Sequence, residues 1–165
     1  MFKVEGKTFR FYCSKKELRN CDHPVVKEFA KAKVNWIIKN IDLEQKKVLE
    51  VGAGNGYISN HLRKFCDLTA LDISKEQLDL NPAPKKIVDS VYDLPFGDNE
   101  FFCVVCSNLL HHLENPERAV SEIARVADKY VVLSEPNNRS PAIWVQSLIQ
   151  RHERNSIYYS KKLLT

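Results

Sequence analysis

Apolar positions recur along this chain on two periods, and the switches between them mark out strands and helices. Val48 to Val51 and Leu68 to Ile73 are short, nearly continuous apolar runs, which predict strands buried on both faces of a parallel sheet. Between Pro24 and Asn40 the spacing is helical instead, with Val26, Phe29, Ala30, Ile37 and Ile38 forming the apolar side. Asp22 or His23 is placed to cap that helix, and Pro24 suits its first turn. Further helices are predicted over Tyr57 to Phe65, with Ile58 and Leu62 on one face, over Ser74 to Leu80, and over Asn115 to Ala127. Two of these have clear starts: Ser74 with Gln77 forms a potential capping box, and Asn115 precedes Pro116. From Lys47 to Glu135 strand and helix alternate, which predicts an α/β domain with right-handed crossovers and helices on both faces of the sheet. Ser140 and Pro141 open another predicted helix, carrying Trp144, Val145, Leu148 and Ile149 on one side.

Chemistry enters where the first strand breaks. Behind Glu50 stand three glycines at alternate positions, Gly52, Gly54 and Gly56, where the backbone can bend sharply and approach a ligand closely. Amides at the start of the following helix would favour an anionic group such as a carboxylate or phosphate. A dinucleotide fingerprint, G-x-G-x-x-G, needs a glycine at position 57, and this chain has Tyr57 there. A nicotinamide-dependent oxidoreductase is the disfavoured alternative for that reason.

The pattern E-x-G-x-G-x-G resembles motif I of the class I S-adenosylmethionine (SAM) dependent methyltransferases, especially the small-molecule methyltransferases akin to those of quinone biosynthesis. The resemblance continues through Asp72, about 20 residues after Gly52, where a carboxylate can accept both hydroxyls of a ribose. It continues through Ile87 to Pro95 and Phe96, similar to the family's third strand and its D-x-x-x-D-L-P-F signature, and through Phe101 to Leu113, similar to the S-N-x-L-H-H-L block that closes the fourth strand. Tyr130 to Asn137 is similar to the fifth strand and its exit loop. Residues 45 to 137 are thereby covered by four ordered motifs.

The resemblance implies a Rossmann-like, doubly wound, mainly parallel sheet of strand order 3-2-1-4-5. One domain is expected over residues 1–165, with an N-terminal helical segment at 1–44, a cofactor-binding core at 45–137 and a C-terminal helix at 138–165. The family's last two strands, the final one antiparallel, are not found in the sequence. Either the chain is truncated or its fifth strand protects an open edge by other means. The resemblance also implies the site. Amides around Gly52 to Gly56 would meet the methionine part, with Glu50 ordering that loop or reaching the ammonium through water. Asp72 would accept the ribose hydroxyls, Ile73 would pack on the adenine, and Asp89 would accept from its amino group with Ser90 alongside. Asn108 would flank the transferred methyl. For Glu50 a loop-bracing role competes with direct contact, and for Gly56 a purely steric one.

Composition adds limits. Nothing in the 165 residues is apolar enough over a sufficient length to predict a membrane span or a secretion signal, and the five cysteines form no paired framework, so a cytoplasmic protein with reduced thiols is expected. Cys103 and Cys106 lie three apart in a predicted strand and must project to opposite faces, so they are expected to be core thiols rather than ligands. Cys13, Cys21 and His23 match no common zinc spacing, and no metal is expected. Net charge is +4, with basic ends and an acidic middle. Solvated ends explain this, but an anionic acceptor or partner is an alternative worth testing, and nucleic acid is not implied. His111, His112 and Glu135 are the candidates for a general base, although adjacent histidines cannot both face a cleft, and no catalytic residue is assigned.

The expected function is SAM-dependent methyl transfer to a small-molecule acceptor by in-line displacement. A module that binds SAM without turnover is the alternative from a different class.

Overall fold

A computed structural model describes residues 24–135. Five strands, β1 (Lys47–Val51), β2 (Asp67–Asp72), β3 (Lys85–Val88), β4 (Phe101–Ser107) and β5 (Ala127–Ser134), form one sheet in the order β3-β2-β1-β4-β5. Every neighbouring pair is parallel, so this order and direction are those expected from the sequence. Among the described residues four helices accompany them, α1 (Pro24–Asn40), α2 (Ser59–Leu62), α3 (Lys75–Leu80) and α4 (Pro116–Val126), with a 3₁₀ turn at Leu110–His112.

Each strand feeds two cores, because successive side chains leave opposite faces. Val48 of β1 and Cys103 and Val105 of β4 pack with Ala30, Val34 and Ile37 of α1 and with Leu62 of α2. Leu49 and Val51 of β1 and Val104 and Cys106 of β4 pack instead with Ala119, Ile123 and Val126 of α4. The two thiols therefore belong to opposite layers, as their spacing requires. Burial pushes the Cys103 thiol up to about 12 and the Cys106 thiol up as well, which leaves both protonated and inert.

Several predicted boundaries are corrected. The helix expected over Tyr57 to Phe65 is one turn, Ser59–Leu62, flanked by hydrogen-bonded turns, because residues 63–66 must reverse the chain into β2. Of the block Ile87 to Pro95 matched to the third strand and its signature, only Ile87 and Val88 are strand, at the end of Lys85–Val88. Residues 94–98 are instead a loop clamped by α4: Arg125 donates to the carbonyls of Leu94 and Phe96 and to Asp98, while Glu122 accepts from the Leu94 amide. β5 begins three residues earlier than expected, since α4 runs into it directly at Ala127. Phe29, assigned to the apolar side of α1, is 68% exposed; the buried side is Ala30, Val34 and Ile37.

The helix starts hold. Ser74 Oγ accepts from the Gln77 amide, and Asn115 Oδ1 accepts from the Arg118 amide with Pro116 at the first position. The expectations for Cys13, Cys21 and His23, for the cap at Asp22 or His23, and for the helix carrying Trp144, Val145, Leu148 and Ile149 lie outside the described residues. Among the described residues the sheet ends at β5, and no helix is long and apolar enough to cross a membrane.

Candidate functional site

The carboxyl ends of β1, β2 and β4 meet where the strand order reverses, the place at which open α/β sheets leave a crevice for ligands. The turn after β1 lines it. Gly52, Gly54 and Gly56 all have positive φ, at 69°, 49° and 93°. Gly54 is fixed by Asp72, whose Oδ2 accepts its amide at 2.8 Å, while Asp72 Oδ1 accepts the Ser74 amide at 2.8 Å. A carboxylate has about four lone-pair sites, so with the amides of Gly54, Ser74 and Ile73 in place Asp72 keeps capacity for about one further donor. Burial raises the Asp72 pKa, with the amides of Ser74, Gly54 and Ile73 opposing. A Cβ built on Gly54 would meet only the flexible end of Gln77, its Oε1 at 2.8 Å, so the turn presents bare backbone. At Gly56 the Cβ would lie 2.4 Å from Pro82 Cδ, beside Asn81, and the glycine is needed there to let the α3–β3 connection pass. The steric role weighed for Gly56 thus has a definite partner in the α3–β3 connection.

Beneath the turn is a polar network absent from any motif. Glu50, 3% exposed, accepts from Ser59 Oγ at 2.6 Å; Ser59 Oγ accepts from Asn81 Nδ2 at 2.9 Å; and Asn81 Nδ2 also reaches the carbonyl of Gly54 at 3.0 Å. Asn81 Oδ1 completes the set by accepting the Ala83 amide. Burial pushes the Glu50 carboxyl up to about 8; the Ser59 bond opposes this and the Asp72 charge adds to it. Glu50 therefore keeps its proton near neutrality, and its contacts are those of a loop brace. Ser59 and Asn81 carried no signal in the motif; only the Asn81–Pro82 pair hinted at a turn.

The remaining expected residues line the same edge. Ile73 is half-buried after β2, and the Asp89 amide donates to the Asp72 carbonyl, which brings Asp89 and Ser90 to the end of β3 beside it. Asp89 Oδ1 accepts the Ser90 amide. Asn108 follows β4 with φ of 56°, its amide bonded to the Ser134 carbonyl. Leu109 then folds over the first glycine: its Cδ2 lies 2.8 Å from where a Gly52 Cβ would be.

Glu135 and His111 are joined, but not as a free base. Glu135 accepts the amides of Leu109, Leu110 and His111 and pairs with His111 Nδ1. Burial pushes its pKa up, and the His111 bond and charge with the Leu110 and Leu109 amides outweigh that, leaving it below the ordinary value. Such a carboxylate is a weak base that clamps the loop after β4. His111 is buried at 2% exposure, and the half-buried His112 ring stacks on it with centroids 3.9 Å apart. Sequence reasoning missed Lys33 altogether. From α1 its Nζ donates to Ser107 Oγ at 2.9 Å and Asn108 Oδ1 at 3.4 Å.

A doubly wound parallel sheet with a carboxylate-locked glycine turn at its switch point defines an α/β domain of the Rossmann-like class. A family model described as a methyltransferase domain matches residues 49–133, half of the chain, and the chain belongs to that family. Its fold is that of the class I SAM-dependent methyltransferases. A ubiquinone biosynthesis O-methyltransferase of Dechloromonas aromatica is 28% identical over 130 residues, which cover 71% of this chain and 55% of that protein. The chain thus spans about half the length of that relative. Among solved structures, a Pyrococcus horikoshii protein aligns with a TM-score of 0.70 at 18% identity, covering 85% of this chain and 68% of its own. The magnesium protoporphyrin IX methyltransferase of Synechocystis, solved with bound SAM, aligns with a TM-score of 0.59 at 20% identity, over 76% and 61%.

Proposed function

We propose that this protein transfers a methyl group from SAM to a small-molecule acceptor by in-line displacement. The observation that carries the reading is the open glycine turn held by Asp72, whose two carboxylate oxygens accept the Gly54 and Ser74 amides at the end of β2. The cofactor supplies an electrophilic sulfonium methyl, so the protein's work is alignment and exclusion of water rather than activation. Aligned partners reach effective molarities of about 10⁵ to 10⁸ M, enough for much of the barrier without a catalytic side chain.

In this reading Asp72 accepts the ribose hydroxyls, Ile73 packs on the adenine, and Asp89 with Ser90 receives its amino group. The amides of Gly52 to Gly56 meet the methionine part, Glu50 orders that loop from below, and Asn108 flanks the methyl. Glu135 and His111 position the loop that carries Asn108. The likeness to an O-methyltransferase of ubiquinone biosynthesis supports a small organic acceptor. Free thiols at Cys66, Cys103 and Cys106 support a reducing, cytoplasmic setting.

S-adenosylhomocysteine should raise the melting temperature where NAD does not. Asp72→Ala should weaken its binding by ~1 to 3 kcal/mol, as expected for unpairing a charged hydrogen bond; an unchanged affinity by calorimetry would sink the assignment. Transfer of a labelled methyl to any acceptor separates the enzyme from a module that binds the cofactor without turnover.

A further inference from the structure

α1 turns one stripe away from the core. Phe29, Lys33 and Trp36 stand four and three residues apart, on one helical face, and Phe29 and Trp36 are 68% and 60% exposed. Together they form one wall of a groove of about 370 Å³ whose other wall is Val105 of β4 and Val132 and Leu133 of β5. That volume lies in the range of small-molecule sites. The groove is apolar along its length and ends at Ser107 and Ser134, beside Asn108.

Lys33 sits at that end. An ammonium has three donors, and two of them here point at neutral oxygens, Ser107 Oγ and Asn108 Oδ1. Among the described residues no carboxylate lies within ion-pair distance of it. The acid that acts on it is Glu135, whose oxygens are already taken by three loop amides and the His111 ring. Burial lowers the Lys33 pKa, and the attraction of Glu135 does not restore it. A half-buried cation beside an apolar trough gains most from an anion brought in on an apolar body.

The geometry points to this groove as the acceptor site, with Lys33 anchoring the carboxylate head of a small aromatic or aliphatic acid whose body lies along Phe29 and Trp36. As an acceptor site it rests on the methyl-transfer reading; as an anion site it does not. Because the cation is at the Asn108 end, the head of the molecule lies nearest the cofactor crevice and its tail points away. Lys33 is a binding and positioning residue here, and no proton transfer is assigned to it.

Two matched pairs test this on the full chain: salicylate against salicylamide, and octanoate against octanamide, titrated calorimetrically with and without S-adenosylhomocysteine. Each acid should bind about ten- to a hundredfold more tightly than its amide, the range for a hydrogen bond to a charged group. Lys33→Gln should erase that ratio and Lys33→Arg keep most of it, while Trp36→Ser should weaken acid and amide alike. Equal binding of acid and amide, a preference that survives Lys33→Gln, or no binding of any of the four, as when the chain's own segments fill the groove, overturns the inference. If S-adenosylhomocysteine fails to bind while the acid preference and its loss in Lys33→Gln are observed, the anion site stands and the methyl-transfer reading falls.

Discussion

Two carboxylates on the sheet, Glu50 within β1 and Glu135 at the end of β5, are driven in opposite directions by what surrounds them. Glu50 is given a single hydroxyl and a neighbouring acid, so burial wins and it keeps its proton to about pH 8. Glu135 is given three amides and an imidazole, so it stays ionised below the ordinary carboxylate range. Burial pushes both upward, and the number and kind of donors decide whether that push is outweighed. The same difference separates the two halves of the crevice. On the β1–β2 side the carboxyls of Glu50 and Asp72 are held by neutral hydroxyl and amide donors, whereas on the β4–β5 side Lys33 lacks a counterion among the described residues.

The largest expected effect is on the closed half. Gly56→Ala places a Cβ 2.4 Å from Pro82 at a φ of 93° and should cost about 2 to 5 kcal/mol of stability by urea unfolding, from strain and overpacking together. A loss below about 0.5 kcal/mol would mean that the α3–β3 connection yields freely.

Glu50→Gln sharpens the contrast in charge. The unfolded side chain loses its proton near 4.5 and the folded one near 8, so the folded state holds the extra proton between those values and stability falls as pH rises through them. The slope from one such group is at most about 1.4 kcal/mol per pH unit. Glu50→Gln keeps an acceptor for Ser59 and should flatten this slope, making the variant the more stable protein at pH 8; parallel profiles would show Glu50 ionised throughout.

Glu135→Gln should lose about 1 to 3 kcal/mol at neutral pH, since a charged acceptor of several donors is replaced by a neutral one. Because the folded pKa of Glu135 is depressed, its contribution is present above the ordinary value and disappears as pH falls through the folded one, so wild type and variant should converge in acid. The smallest effect belongs to the groove: Phe29→Ser, at an exposed position, should shift stability by no more than about 0.5 kcal/mol while changing ligand binding. A loss of several kcal/mol would show that Phe29 is covered in the whole protein.

The closed half was legible in the sequence because its parts are local. Glu50, the three glycines and Asp72 follow one another within a strand, a turn and the next strand; the alternation of runs suffices for a parallel sheet, and the strand order came from the family resemblance. The open half was not. Lys33 meets Ser107 across 74 residues, and nothing in the apolar spacing of α1 shows that Phe29 faces a groove rather than the core. The Glu50–Ser59–Asn81 chain escaped for a related reason: Asn81 lies in a connection whose path is set by packing against Gly56, not by its own residues. The helix after the turn was drawn too long because periodicity counts apolar positions and not the residues needed to reverse the chain.

Leu109 resting on bare backbone at position 52 is the joint between the halves. Swapping in a different acceptor half from a related chain would succeed only if the graft brought a branched side chain of that reach to the seam and left its opposite number without one. A bulkier tenant on either side would wedge the crevice apart at its hinge line, and cofactor grip would fail before any substrate was met.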